Sequence, residues 1–349
     1  MKRYRAAIVG CGNRSRAHIK AYELIGDAEV VACCAPSPAR RDPLAAEFGL
    51  RAYADARTMI EKEKPDIVHL VLQPRLRVEP MTWVAERKVP LCTVEKPIAI
   101  GVADWKALCG LEAGSSTKFA VCHQGRWHRV LVKCREALTS GALGQVRFID
   151  MAAGVNIADQ GTHILNYGMS LNGDSPVVQV FGTASGTAEL DSSHPAPDTT
   201  AGYLTFENGA RALWINGHTG LDRRPSFSDK APWGHLRIAA YAEKGLARFE
   251  LLGTWTVISP GSVEQGDWGG GETLSQDNLS AQAGFHQAMF AWLEDEGKAP
   301  GTNLKQSLHE WKTVLALYAS TVEHAPVDMS GFDPPEDLLE RLRAVLKGN

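Results

Sequence analysis

Two polar side chains near the middle of the chain, Asp159 and His163, have a spacing that would let them act together on a proton. They lie four residues apart in ADQGTHILNY (158–167), and on a helix beginning near Asp159 they would share one face, with Asp159 also suited to capping the helix. A carboxylate beside an imidazole fixes the ring tautomer and raises its basicity, which suits a base that removes a hydroxyl proton. The alternative is a core histidine with a capping aspartate.

A lysine in VEKPIAI (94–100) is the second candidate for chemistry. Glu95, Lys96 and Pro97 follow a predicted strand, at the carboxyl edge where open α/β sheets bind their ligands. An ammonium group there can contact a substrate hydroxyl or carbonyl oxygen, and we expect Glu95 to hold it in place. The alternative is a surface lysine that ends a strand.

The glycine pair in GCGNRSRAHIKAYE (10–23) indicates a phosphate-binding turn. Gly10 and Gly12 follow a short apolar run and open a helical stretch, where backbone amides and the helix dipole favour a pyrophosphate. This predicts that Gly10, Gly12, Asn13 and Arg14 contact a dinucleotide, rather than forming an ordinary turn. Ser15 stands where the fingerprint has its third glycine, and we expect it to loosen helix packing without abolishing binding.

The end of the second predicted strand bears on the choice between NAD and NADP. Ala35 stands where an NAD-preferring site has an acidic residue. Without that carboxylate a 2′-phosphate is not repelled, and Ser37, Arg40 and Arg41 could contact one. The cofactor is therefore predicted to be NAD or NADP. The alternative is that the two arginines begin a solvated helix face.

Alternating strands and helices must position these residues in the first part of the chain. The predicted strands are Ala6–Val9, Val30–Cys34, Ile67–Leu72, Leu91–Glu95 and Phe119–Cys122. Helical stretches separate them, and their continuous apolar runs are typical of strands buried on both faces of a parallel sheet. The pattern predicts an N-terminal Rossmann domain, a doubly wound parallel sheet, over residues 1–123.

The pattern changes after residue 145, where strands follow one another with few helices. Turns at Asn208-Gly209 and Lys244-Gly245 predict two-residue hairpins, and residues 266–272 (GDWGGGE) and 223–234 predict loops. We expect residues 124–349 to form a C-terminal α/β domain with an open, mostly antiparallel sheet. Helices at 282–296 and 304–323 could cover one face, and a bare face would be a subunit contact in a homodimer or homotetramer.

Bulk composition narrows the class of protein. The 349 residues exceed what a single core usually supports, which favours two domains. A net charge of −3 provides no basic field for nucleic acid or anionic lipid, and no stretch approaches a membrane span, so we expect a small-molecule partner. All seven cysteines precede residue 135 without a CxxC pair, as expected for buried thiols in the cytoplasm. His123, His128 and His286 show no metal-ligand spacing, so we expect no metal.

The order of these motifs resembles the glucose-fructose oxidoreductase/inositol dehydrogenase/MocA (Gfo/Idh/MocA) family of NAD(P)-dependent oxidoreductases. The matching residues are Gly10-Cys11-Gly12, Glu95-Lys96-Pro97, Gln124, Arg126, Gly141-Ala142-Leu143-Gly144 and Asp159-x-Gly161-x-His163. The resemblance implies the two domains described above, dimers or tetramers, and hydride transfer between NAD(P) and a hydroxyl or keto carbon of a sugar, polyol or cyclitol.

By that resemblance Lys96, Asp159 and His163 occupy the family's catalytic positions. His163 would exchange the hydroxyl proton, Asp159 would orient it, and Lys96 would position the reacting oxygen and also contact the cofactor. The predicted cofactor-binding residues are Gly10, Gly12, Asn13, Arg14, Ser37, Arg40, Glu95 and Lys96, and the predicted substrate-binding residues are Lys96, Arg126, Trp127, His163 and Trp233.

The chain departs from the family pattern at several positions. Ala35 replaces an acid, which leaves the choice between NAD and NADP open. Asn166 replaces an aspartate and residues 74–78 lack a histidine, which indicates a divergent substrate pocket. Two other functions stay open. One is an NAD-dependent sugar lyase or hydrolase that works through transient oxidation, and the other is a catalytically silent nucleotide-binding sensor.

Overall fold

A computed structural model describes residues 4–217, 235–251, 253–268 and 271–348, with the side chains of 271–274 left out. The strands are β1 (Tyr4–Val9), β2 (Ala28–Cys34), β3 (Arg51–Tyr53), β4 (Ile67–Leu70), β5 (Leu91–Glu95), β6 (Lys118–Cys122), β7 (Val146–Ala153), β8 (Val177–Ser185), β9 (Thr199–Phe206), β10 (Arg211–Gly217), β11 (Leu236–Ala242), β12 (Gly245–Glu250), β13 (Thr254–Ser259), β14 (Ser262–Asp267) and β15 (Val327–Asp328).

The α-helices are α1 (Asn13–Ala21), α2 (Pro38–Phe48), α3 (Ala56–Glu63), α4 (Val78–Glu86), α5 (Val102–Gly114), α6 (Arg129–Thr139), α7 (Thr162–Leu171), α8 (Gly271–Glu294), α9 (Leu304–Glu323) and α10 (Leu338–Gly348). Single 3₁₀ turns cover Tyr22–Leu24, Gln124–Trp127 and Glu296–Lys298, and a π turn covers Ile157–Gly161. Within the described part of the chain, no helix combines the length and apolar character that crossing a bilayer requires.

The first of two compact units contains a parallel sheet. It comprises Met1–Ala99, Asp104–Trp127 and Asp277–Leu308, and its strands follow the order β3-β2-β1-β4-β5-β6 with every neighbouring pair parallel. The sheet forms because its central strands are mostly apolar and buried; β4 is buried at every position, His69 included. The strand order reverses between β1 and β4, which confirms the predicted Rossmann architecture.

Helix α8 packs on this parallel sheet, not on the antiparallel one. The Phe290 ring stacks on Tyr4 of β1 at a centroid distance of 4.6 Å, and Phe285 and Met289 join Tyr4 in one apolar cluster. The expectation that residues 282–296 cover the antiparallel sheet is therefore wrong, because the apolar side chains of α8 match the core of the first unit. The division of the chain at residue 123 stays a prediction.

The second unit comprises Ile100–Ala103, His128–Gln276 and His309–Asn349 and contains the predicted mostly antiparallel sheet. Its strand order is β14-β13-β12-β11-β7-β10-β9-β8-β15, and the one parallel pair among the described strands is β7 with β10. Helix α9 covers one face, because Gly182 and Gly202 leave room for Leu317: a Cβ at either glycine would come within 3 Å of that side chain.

Local details of this sheet differ from the expectations. The first hairpin has a loop of residues 207–209 with Gly209 at φ +85°, and the second turns at Glu243-Lys244, one residue earlier than expected. In the expected loop over 266–272, residues 266–267 end β14 and residues 271–272 begin α8, while residues 269–270 lie outside the described residues. The expected loop over 223–234 lies outside the described residues. All seven cysteines are free, and six are buried, as predicted.

Candidate functional site

The turn after β1 has the backbone that phosphate binding requires. Gly10 adopts φ +102°, and a Cβ there would lie 2.2 Å from the carbonyl oxygen of Val71, so only glycine fits. At Gly12, the N-cap residue of α1, a Cβ would meet nothing within 4 Å. No side chain caps α1 and no acidic residue lies in its first turn. The helix N-terminus at Gly12 and Asn13 is therefore open to an anion.

Ser15 was expected to loosen the packing of α1, but the structure shows a tight contact instead. Its side chain is fully buried, and its hydroxyl donates a hydrogen bond to the carbonyl oxygen of Gly10 at 2.8 Å. The serine thus ties the first turn of α1 to the glycine loop, which compensates for the missing third glycine.

The carboxyl end of β2 lies beside polar and charged side chains. Ala35 is buried, and its carbonyl oxygen accepts a hydrogen bond from the Arg41 guanidinium at 3.1 Å. Arg41 also pairs with Asp42. Ser37, the N-cap residue of α2, and Arg40 are both exposed. The described side chains therefore leave Ser37 and Arg40 accessible at this edge.

Glu95 links the end of β5 to helix α1. Its Oε1 accepts hydrogen bonds from Arg14 Nε at 3.0 Å and from His18 Nε2 at 2.7 Å. Burial alone would raise the pKa of the Glu95 carboxyl, but the Arg14 charge and the His18 hydrogen bond hold that pKa well below its usual range. Arg14 also donates to Gln282 Oε1 at 2.6 Å. Arg14 and Glu95, both predicted to bind cofactor, are thus each other's partners, and their cofactor contact stays a prediction.

A buried arginine that sequence reasoning did not select holds the backbone at Lys96. The Arg77 guanidinium donates to the carbonyl oxygens of Pro97, Lys96 (3.2 Å) and Leu72 (3.4 Å). Burial lowers the pKa of Arg77 to about 10, although the Glu95 charge opposes this shift. Arg77 lies in the segment that lacks the family's histidine. Nothing in the sequence around Arg77 predicts that its side chain binds the backbone of the distant Lys96–Pro97 loop.

Asp159 and His163 lie in the second unit, on one continuous helical segment. Asp159 belongs to the π turn Ile157–Gly161, which runs directly into α7. The expectation that Asp159 caps this helix is wrong, because the Asn156 side chain accepts the backbone N–H of Asp159 at 2.9 Å. His163 is 6% exposed, and its Nδ1 lies 3.3 Å from the Tyr167 hydroxyl.

Contacts with two other side chains explain why glycine and asparagine stand at positions 161 and 166, close to Asp159 and His163. Gly161 is required because a Cβ there would lie 2.6 Å from Oδ1 of the buried Asn216 on β10. Asn166, which replaces the family's aspartate, is fully buried and donates to the Glu310 carboxylate. The amide thus supplies a donor to a carboxylate, whereas an ionised aspartate would repel it.

The remaining predicted substrate residues have different surroundings. Arg126 is buried in the turn after β6. The Trp127 indole packs edge-on against Phe285 at 5.5 Å and lies over Gly284. Trp233 lies outside the described residues. Substrate contact by these three residues stays a prediction.

Comparisons with known proteins agree with this architecture. Residues 4–123 match the family model described as "Oxidoreductase family, NAD-binding Rossmann fold". A D-apiose dehydrogenase of Paraburkholderia graminis is 28% identical over 61% of this chain and 60% of its own length. The matched part of the chain spans less than two thirds of the curated relatives.

Solved structures share the fold across nearly the whole chain. An oxidoreductase of Agrobacterium radiobacter, solved with NAD⁺, L-tartaric acid and magnesium, superposes with a TM-score of 0.79 at 19% identity, over 94% of this chain and 99% of that one. A myo-inositol dehydrogenase of Corynebacterium glutamicum gives 0.74 at 17% identity, over 93% and 98%. The family match over the Rossmann sheet and its glycine turn makes residues 4–123 similar to the Gfo/Idh/MocA family of oxidoreductases, and the solved structures share the fold of the chain.

Proposed function

We propose that this protein is an NAD(P)-dependent dehydrogenase or reductase that acts on a CH–OH group of a sugar, polyol or cyclitol. The observation that carries the proposal is that the N-terminus of α1 at Gly12 is open to an anion. This helix follows β1 in the part of the chain that matches an NAD-binding family model. The apiose and inositol dehydrogenases among the similar proteins support the substrate class.

Residues around the carboxyl ends of β1 and β2 fit the cofactor. The backbone amides at Gly12 and Asn13 would hold its pyrophosphate, since the helix end offers unpaired donors and positive potential. Gly10, whose own N–H donates to the Cys34 carbonyl oxygen at 2.8 Å, would shape the turn around the pyrophosphate. The proposed cofactor is NAD or NADP, and Ser37 and Arg40 would contact the 2′-phosphate if it is NADP. When bound, the cofactor supplies the acceptor or donor of the hydride.

Three residues of the chain act on the hydroxyl proton and the reacting oxygen of the substrate. His163 takes the hydroxyl proton when the substrate is oxidised and returns it when the carbonyl is reduced. Asp159 orients the imidazole. Lys96 donates a hydrogen bond to the reacting oxygen and stabilises its negative charge. Arg77 fixes the backbone on both sides of the Lys96–Pro97 peptide, so it acts as a positioning residue. Arg126, Trp127 and Trp233 are the proposed further substrate contacts.

The uncovered face of the antiparallel sheet is the proposed subunit contact. Phe181 and Tyr203 are paired across β8 and β9 and are 51% and 42% exposed, and Tyr241 on β11 is 42% exposed. Aromatic side chains in this number on one sheet favour burial against a second copy. We propose a homodimer or homotetramer formed through this face.

Two assays in sequence test the activity. Thermal unfolding with NAD and with NADP identifies the cofactor, because a ligand that binds only the folded state raises the melting temperature. A panel of sugars, polyols and cyclitols is then screened for net formation of reduced nicotinamide. Net formation that His163→Asn abolishes and His324→Asn preserves would support the proposal.

Other outcomes would replace this function with another. Cleavage of the substrate without net change in reduced nicotinamide would indicate a lyase or hydrolase that works through transient oxidation. Cofactor binding with no turnover of any substrate, and a cellular function unchanged by Lys96→Ala, would indicate a silent sensor.

A further inference from the structure

Three histidines that the proposed function does not use lie together in the first unit. His18 comes from α1, His69 from β4 and His286 from α8, and each is at most 1% exposed. Their ring centroids are 5.3 Å (His18–His69), 5.2 Å (His18–His286) and 4.6 Å (His69–His286) apart. One ring nitrogen of each lies within 4.8 Å of the nitrogens of the others.

These separations match three imidazoles around one metal ion. With Zn–N bonds of about 2.0–2.1 Å and tetrahedral angles, the centroids of three ligating rings lie about 5 Å apart. Three neutral imidazoles without a metal gain little from this arrangement, because their lone pairs repel one another. The convergence of the rings is therefore better explained by a shared ligand than by packing.

In the part of the chain that the structure describes, the hydrogen bonds leave one nitrogen without a partner on His18 and on His286, whereas both nitrogens of His69 have a hydroxyl neighbour. Ligating histidines generally use their second ring nitrogen to bond a protein group. His18 bonds Glu95 through Nε2, and His69 lies 2.6 Å from the Thr93 hydroxyl through Nδ1. Among the described residues, Nδ1 of His18 and Nδ1 of His286 are buried without a hydrogen-bond partner. Nε2 of His286 lies 3.3 Å from the Gln282 amide, at the outer limit of hydrogen bonding.

The remaining groups of the cluster suit a closed site. Burial lowers the pKa of all three histidines, so the rings are in the neutral form that a metal requires. The Tyr22 hydroxyl lies 2.6 Å from Nε2 of His69, so a metal at this nitrogen would displace that hydrogen bond. The hydroxyl oxygen could take the fourth tetrahedral position after moving to about 3.4 Å from Nε2.

A second group of potential ligands in the same region is less suitable. His18, Glu95 and Cys122 also lie within reach of one another. However, the Arg14 guanidinium lies 3.0 Å from Glu95 and 3.5 Å from the Cys122 sulfur, and its charge would repel a cation there.

We propose that His18, His69 and His286 bind one divalent transition-metal ion of the zinc type in the first unit. Imidazole ligands, full burial and four-coordinate geometry favour zinc in a structural role. The ion would join α8 to α1 and β4, three elements that are far apart in the sequence. Through His18 it would also fix Glu95, next to Lys96.

The test is the metal content of the untagged protein from cells grown with added zinc. We expect about one zinc ion per chain, as a closed structural site holds. After removal of the metal with a chelator, added Co²⁺ should give the visible spectrum of a four-coordinate site. His286→Asn should lose both signals. His324→Asn should keep both, because His324 is exposed and its φ of +53° suits asparagine.

One further measurement keeps the test decisive if the His286 variant fails to fold. Zinc added to the metal-free wild-type protein should raise its melting temperature, and a chelator should reverse the rise. The proposal is overturned if the wild-type protein carries no more metal than a buffer blank processed in the same way, and gives no four-coordinate Co²⁺ spectrum. Equal metal content in wild type and a folded His286→Asn would also overturn it.

Discussion

Replacement of Glu95 by glutamine tests whether this carboxylate anchors helix α1 to the end of β5. The change keeps the shape of the side chain but removes the charge that Arg14 and His18 share at 3.0 and 2.7 Å. Breaking a buried ion pair costs about 3–5 kcal/mol. The Arg14 side chain is 35% exposed, so solvent compensates part of its loss and we expect the lower end, about 3 kcal/mol. At about 2–4 °C per kcal/mol, the melting temperature should fall by about 6–12 °C.

The loss should depend on pH in a defined direction. Because the folded-state pKa of Glu95 is depressed, the carboxylate stabilises the fold at every pH above its unfolded-state pKa of about 4.3. This contribution is lost as the pH falls through the lower folded-state pKa. The difference in melting temperature between wild type and Glu95→Gln should therefore be constant near neutrality and shrink in acid.

Thermal unfolding followed by circular dichroism, in buffers with a chelator, measures both effects. Glu47→Gln is the matched control, because Glu47 pairs with Arg16 of the same helix at 2.7 Å but is exposed. It should change stability by no more than about 1 kcal/mol. Equal melting temperatures for Glu95→Gln and Glu47→Gln would refute the idea that Glu95 anchors α1. A difference in melting temperature between wild type and Glu95→Gln that does not change with pH would also refute it.

Three further predictions concern activity and assembly. Lys96→Met should lower kcat/KM by about 10²–10⁴-fold, as loss of a group acting on the transition state does, whereas Lys244→Met in the exposed hairpin should not; equal rates would remove Lys96 from the mechanism. Arg40→Ala should raise the KM for NADP about tenfold, worth about 1.4 kcal/mol, and leave that for NAD unchanged; parallel changes would exclude a contact with the 2′-phosphate. Tyr203→Glu should convert the oligomer to monomers in light scattering, and an unchanged mass would place the interface elsewhere.

Local patterns in the sequence predicted most of the fold. Strands β1, β4 and β5 are mostly apolar and do not alternate polar with apolar residues, so their burial in a parallel sheet could be recognised. The edge strand β14 was not predicted, because its residues Ser262–Asp267 are polar and nearly all exposed. The place of α8 could not be predicted either, since an amphipathic helix shows which face is apolar but not which sheet it covers.

The backbone around the glycine pair could be predicted because the signal was local, whereas contact of the site residues with cofactor or substrate stays a prediction. Gly10 and Gly12 form a turn open to an anion because the strand, turn and helix are consecutive in the chain. Arg77 and the three clustered histidines depend on pairing between distant segments. His18 and His286 are separated by most of the chain and meet only because α8 returns to the parallel sheet.

The return of α8 has a consequence for dissecting this protein. A fragment ending at residue 127 would lack Asp277–Leu308, and the apolar surface around Tyr4 would then face water. Such a fragment should aggregate, whereas residues 4–127 fused by a short linker to 277–308 should yield a folded nucleotide-binding module. Because the second unit also contains His309–Asn349, exchanging it for that of another protein requires residues 128–276 and 309–349 to be replaced together while the first unit is kept.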